Sequence, residues 1–155
     1  MKRIPSFLSA LTLAATLALC AAPAWAGVSK GQLLYVPCSS HVYHGVKTRP
    51  FELTVTLTVR NTDPWRAMKL TAVDYHGSDG RLIRRYLEKV VTVPPLATRE
   101  FTVEQNDTSG GAGALFLVRW KADTAMNEPI VEAVMIGTTN SQGISFTSRG
   151  TVLQE

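Results

Sequence analysis

The side chains of this chain best suited to chemistry sit close together. Cys38-x-x-His41-x-x-His44 places a thiol and two imidazoles within one short segment, and His76 stands further on. Thiolate and imidazole suit zinc or copper, and three ligands leave one coordination position open. His41, His44 and His76 are therefore the candidate metal ligands. An extended segment would turn residues 41 and 44 to opposite sides. Convergence needs a loop, which Ser39, Ser40 and Gly45 could form; otherwise these are loop histidines making ordinary hydrogen bonds.

Two further segments have binding chemistry. Asn106 to Gly113 is polar and glycine-rich, and such backbone can approach and cradle an anion. No Gly-x-x-x-x-Gly-Lys pattern or helix start follows, so it is not a phosphate loop. Asp107 lacks the neighbours of an EF-hand. In Gln142 to Gly150, the Arg149 guanidinium could grip a carboxylate or phosphate. Period-two alternation there instead turns Ile144 and Phe146 inward and leaves Arg149 solvated. The candidate ligand-binding residues are His41, Tyr43, Asp107, Gly110, Gly111 and Arg149. The reading brings His41–Gly45, the glycine loop and Arg149 to one end of the fold.

Signs of catalysis are sparse. No Ser, His and Asp are placed by a strand–turn–helix nucleophile signature. Glu100 and Glu104 share a strand face, as surface charges commonly do. Glu132 lies in an apolar run and, if turned inward, needs a partner such as Arg60 or Arg119. Thr54, Thr56 and Thr58 read as a solvated sheet face, and Arg81, Arg84 and Arg85 as an exposed strand. A non-catalytic binding module is the expectation, with no cofactor. A metal-binding protein or enzyme using the three histidines is the alternative, and a structural subunit of an envelope assembly is the third reading.

The elements that must position these residues are strands. Phe51, Leu53, Val55, Leu57 and Val59 alternate with Glu52, Thr54, Thr56, Thr58 and Arg60, which is strict period two. Asn61-Thr62-Asp63-Pro64 ends that run. Further strands are expected at Gln32–Pro37, Met68–His76, Arg81–Leu87, Val90–Val93, Arg99–Glu104, Leu115–Ala122, Ile130–Thr138 and Ile144–Ser148. Gly77-Ser78-Asp79-Gly80 makes a hairpin connection. Ala122–Asn127 is the best helical candidate. Strands at this spacing predict an all-β fold, an immunoglobulin- or fibronectin-like β-sandwich of about eight strands, with a barrel as second choice. Trp120 suits the core between two sheets.

The N-terminus reads as a secretory signal peptide. Lys2 and Arg3 precede an apolar run from Phe7 to Leu19, and Ala24-Trp25-Ala26 offers a small-x-small cleavage site. Residues 1–26 are the expected leader, and 27–155 a single domain. Leu17-Ala18-Leu19-Cys20 resembles a lipoprotein box, but Leu19 is larger than that site prefers. The expected location is the periplasm, with secretion or a lipid anchor on Cys20 as alternatives. Whole-chain net charge is +4, half of it from Lys2 and Arg3, so no nucleic-acid partner is expected. Without the leader Cys38 is the only cysteine, which excludes an intrachain disulfide; burial is its expected fate. No other apolar run is long enough to span a membrane. The partner is expected to be an envelope protein or a small ligand.

Several segments also occur in a familiar order. They are Tyr35-Val36-Pro37, Ser40 to Gly45, Arg60-Asn61-Thr62, Gly110 to Ala114, Arg119 to Ala122, Pro129 to Gly137 and Gln142 to Gly150. With them the chain resembles the bacterial family designated domain of unknown function 3124, from about Leu34 to Val152. The resemblance implies one small exported domain and transfers no catalytic residue. Cys38 departs from the family pattern, which argues against a thiol chemistry common to its members.

Overall fold

Alternation of apolar and polar residues builds two sheets whose apolar faces meet. The structure is a computed structural model and describes residues 27–139 and 142–153. Twelve strands are present among them: β1 (Val28–Pro37), β2 (His41–His44), β3 (Arg49–Glu52), β4 (Thr54–Arg60), β5 (Met68–His76), β6 (Leu82–Arg85), β7 (Val91–Val93), β8 (Thr98–Val103), β9 (Leu115–Asn127), β10 (Ile130–Thr139), β11 (Gln142–Arg149) and β12 (Thr151–Leu153). One sheet has the order β12-β1-β9-β5-β6, with β7 also paired to β5. The other has the order β11-β10-β4-β8. All pairings are antiparallel. The fold is a β-sandwich and not a closed barrel.

The inner faces supply the core. Leu34, Val36, Leu70, Val73, Tyr75, Phe116, Val118 and Trp120 come from the first sheet. Val55, Leu57, Val59, Val103, Val131, Ala133 and Met135 come from the second. Trp120 is wholly buried on the central strand, and its indole N–H donates to Gln32 Oε1 at 3.2 Å, so its one polar atom is satisfied. The core and every paired strand among the described residues fall within residues 27–153.

Three expectations need correction. The run Phe51–Arg60 keeps one inward face, yet it is two strands: β3 pairs with β2 in a separate ribbon, and β4 pairs with β10 and β8. The break falls at Leu53, whose N–H donates to Ser40 O instead of a sheet neighbour. Ala122–Asn127 is strand, not helix: after a bulge between Ser29 and Gly31 it pairs with the start of β1, and Met126 is buried. Thr58 is not solvated but buried, its hydroxyl directed at Glu132 O at 3.4 Å.

The two ends of the sandwich differ. At the lower end, β4–β5, β7–β8 and β9–β10 all cross between the sheets. Asn61 and Asp63 tie the three connections together. Asn61 Nδ2 donates to Arg66 O, Val93 O and Pro94 O, and Asn61 N donates to Ala97 O. Asp63 Oδ1 accepts from Trp65 N and Arg66 N, and Oδ2 accepts from Asn127 N. These bonds, led by that from Trp65 N, hold the Asp63 carboxyl below the usual carboxylate range. The upper end is crossed by the glycine-rich segment between β8 and β9.

Candidate functional site

The upper end is built by the glycine loop and two serines that lock it. After β8 the chain turns at Asp107, whose N–H donates to Glu104 O. Asp107 accepts from the Ser109 hydroxyl and N–H and forms a 2.7 Å ion pair with Arg84 Nη2. The Ser109 hydroxyl is the main reason its carboxyl lies below the usual range, with Arg84 assisting. Ser78 Oγ donates to Gly110 O at 3.0 Å and accepts from Gly113 N at 2.9 Å. Ser40 Oγ accepts from Gly111 N at 2.9 Å, and Ser40 N donates to Gly111 O at 3.0 Å. The Gly111 and Gly113 amides are thus engaged within the protein, and these two do not point at an anion.

Two glycines in this loop are required by geometry. Gly111 has φ +79°, where only glycine sits without strain. Gly110 lies directly over the Tyr75 ring. A Cβ there would overlap the Tyr75 hydroxyl and lie 2.6 Å from Cζ and 2.8 Å from Ala114 Cβ. Tyr75 is wholly buried, and its hydroxyl makes no hydrogen bond among the described residues. Burial pushes its pKa up; the nearby Ser40 hydroxyl acts weakly the other way but is engaged with Gly111.

Beside this loop a recess of about 260 Å³ opens between the sheets at one side of the sandwich. Tyr35 and Pro37 of β1 form one wall, and Phe146, Thr147 and Ser148 of β11 form the other. Ala112, Gly113 and Ala114 close the top, and Cys38, Ser39 and Met135 complete the lining. Phe146 is the cross-strand partner of buried Met135 and therefore faces inward, yet it remains 39% exposed. The rim hydroxyls are satisfied internally: Ser39 Oγ donates to Ala112 O at 2.7 Å, and Ser148 Oγ donates to Pro37 O. Pro37, Met135, Phe146 and the alanines give the rest of the lining apolar surface, to which Tyr35 and Thr147 add polar atoms.

The residues singled out in the sequence are only partly gathered. Ser40 joins the His41 segment to the glycine loop, so those two share one end as expected. Arg149 does not join them. It lines a separate recess of about 400 Å³ with Gly27, Thr62, Asn127, Glu128, Pro129 and Ile130. One register step along β11 separates Ser148, which faces the first recess, from Arg149. Glu132 alternates with buried Val131 and Ala133, so it faces outward opposite Arg149 and needs no buried partner.

The histidines have separate surroundings. His41 lies edge-on to Tyr43, with ring centroids 5.1 Å apart, and Tyr43 is exposed. His44 packs edge-on against Phe51 at 5.5 Å. His76 Nδ1 is 2.9 Å from Gly80 O within the β5–β6 connection. Among the described residues no group of three His, Cys, Asp or Glu side chains is placed to hold a metal ion. Cys38 is free and buried, as expected, and desolvation pushes its thiol up to about 12. A thiol so protonated is a poor nucleophile at neutral pH.

Sequence reasoning missed the recess and its walls at Tyr35, Pro37 and Met135. The available signal was Phe146: its inward alternation was legible, although the gap opposite it was not. Among the described residues no helix is long and apolar enough to cross a membrane.

Comparison with known proteins adds the family. No curated protein matches the chain. The fold is similar to "Crystal Structure of Thermotoga maritima 1070", at 7% identity, with 77% of this chain and 92% of that chain covered and a TM-score of 0.48. At that level the likeness bears on neither function nor site. A family model described as "Protein of unknown function (DUF3124)" matches residues 31–153, covering both sheets and the recess. The chain belongs to the DUF3124 family.

Proposed function

We propose that this protein is a non-catalytic binding module of the bacterial envelope, exported by residues 1–26, that docks an extended segment of a partner protein. One apolar side chain of the partner enters the recess beside Phe146. The observation that carries this reading is Phe146 itself, an aromatic ring on the inner face of a sheet left over a third exposed above an apolar hollow. Among the described residues strand β11 pairs only with β10. It is therefore an edge strand beside the hollow, and strand addition combines such an edge with a pocket for alternate side chains. Pro37, Met135 and Phe146 line the recess, no charged side chain among the described residues does, and the Ser39 and Ser148 hydroxyls are bonded internally, which favours an apolar occupant over an ionic one. The raised Cys38 pKa supports a binding role over thiol chemistry.

The test is affinity selection from a random extended-peptide library on the immobilised protein, followed by binding to variants. Selected peptides should share one aromatic or long aliphatic residue. Phe146→Asp and Ala112→Trp should each weaken binding by about tenfold or more, the scale of losing one anchor side chain. Peptides that bind both variants as well as the parent would remove the recess as the site.

A further inference from the structure

The lower end, opposite the recess, carries a second surface. Trp65 is 82% exposed and Leu96 is 68% exposed, so both side chains protrude. Neither is on a loose loop. Trp65 N donates to the buried Asp63 carboxylate, and Leu96 N donates to Asp63 O. Leu96 has φ +57°, which a branched side chain adopts only when its surroundings impose it. The fold thus maintains a strained backbone that holds a leucine outward beside a tryptophan.

Segments 60–69 and 90–99 contain Arg60, Arg66, Lys69 and Arg99 against Asp63; Glu100 follows Arg99, and half-buried Glu128, bonded by Gln32 Nε2, lies at the same end. Asp63 is almost wholly buried and already accepts three backbone N–H groups. Lys69 is paired with Asp123. Arg66 Nη1 lies 3.5 Å from Asp63 Oδ2 with its side chain half exposed, and Arg60 and Arg99 at this end of β4 and β8 are exposed. The N-terminal boundary of the domain lies at the same end. Gly27 O accepts from Glu128 N, and Glu128 O accepts from the Thr62 hydroxyl, three residues before Trp65.

We propose that the Trp65–Leu96 tip is a docking surface for an anionic lipid bilayer. The indole enters the headgroup layer, where its apolar body and polar N–H are both accommodated. Leu96 reaches the outer acyl region. The three arginines engage the anionic headgroups, each adding electrostatic attraction that salt screens. A protein hot spot would also use an exposed tryptophan, but three cations flanking a protruding apolar pair match a negatively charged surface better than a neutral pocket. The proposal does not depend on the recess.

The experiment uses residues 27–155, which contain the whole core, with phosphatidylcholine vesicles containing or lacking about one quarter phosphatidylglycerol. Binding is followed by co-sedimentation and tryptophan emission. Trp120 is wholly buried, so a blue shift on binding reports Trp65. Binding should favour the anionic vesicles and fall with salt. Trp65→Ser should weaken it by about tenfold or more, and Arg66→Gln combined with Arg99→Gln by a similar factor. Leu96→Gly, whose backbone suits φ +57°, should weaken binding without loss of fold. Protein that stays in the supernatant, or a Trp65→Ser variant that binds like the parent, would overturn the proposal. Self-association lost in Trp65→Ser, without vesicle binding, would overturn it too and make the tip a contact between copies of the chain.

Discussion

Tyr75→Phe should make this protein more stable. The Tyr75 hydroxyl is wholly buried and has no hydrogen-bond partner among the described residues. A buried, unpaired polar group costs about 1–3 kcal/mol of desolvation. Removing the oxygen also forfeits a few dispersion contacts, about 0.5 kcal/mol together. The balance is a gain of about 1 kcal/mol, or about 3–6 °C in Tm for a domain of this size. Urea unfolding of parent and variant measures it directly. The same oxygen blocks a side chain at Gly110, so Gly110→Ala should cost about 1–3 kcal/mol in the parent and measurably less in Tyr75→Phe. If Tyr75→Phe instead destabilises by about 1 kcal/mol or more, the hydroxyl has a partner that contributes to stability, and the reasoning fails.

Cys38 gives a pH signature. Its folded pKa is about 12, whereas a free thiol ionises near about 8.5. Above that value the unfolded chain releases a proton that the folded protein retains. Stability is therefore full below about pH 8.5 and falls by up to about 1.4 kcal/mol per pH unit above it, until the folded thiol ionises. Urea midpoints across the alkaline range should show this fall, and Cys38→Ala should flatten it; an equal slope in the variant would assign the fall to other groups. Gly137→Ala tests the join between β10 and β3, because a Cβ there would overlap the Phe51 ring and lie 2.7 Å from Glu52 O and 2.8 Å from Leu53 Cδ2. It should cost about 1–3 kcal/mol, and a thermal melt unchanged from the parent would show that the ribbon yields freely.

Alternation made the faces of the strands legible but not their partners. Phe51, Leu53, Val55, Leu57 and Val59 all turn inward as their spacing requires. Nothing in that spacing reveals that β3 leaves the sheet at Leu53, because side-chain period reports a face and not a neighbour. Ala122–Asn127 offered small residues and no alternation strong enough to mark a strand. Its conformation is set by β1 across the bulge, a long-range cause. The turn chemistry of Asn61 to Pro64 was visible, yet its wider role depends on Val93, Pro94, Ala97 and Asn127, all remote in sequence. The recess is unreadable for a similar reason, since it is the absence of a neighbour opposite Phe146. Arg149 was grouped with the glycine loop by chemistry alone, and the alternation of β11 turns it away from Ser148.

The Asn61–Asp63 junction has a consequence for how the molecule opens. It binds three sheet-crossing connections into one unit at the lower end, while the upper end is crossed by a glycine-rich segment whose bonds to the Ser39, Ser40 and Ser78 hydroxyls are exposed or only part-buried. Local opening should follow that gradient, because regions held by fewer buried bonds open at lower free energy. Amide hydrogens at Gly111 and Gly113 should therefore exchange with solvent through small fluctuations, and those at Asn61, Asp63 and Asn127 only when the sandwich unfolds as a whole. The mouth beside Phe146 can then widen to admit a side chain while the opposite end keeps its shape.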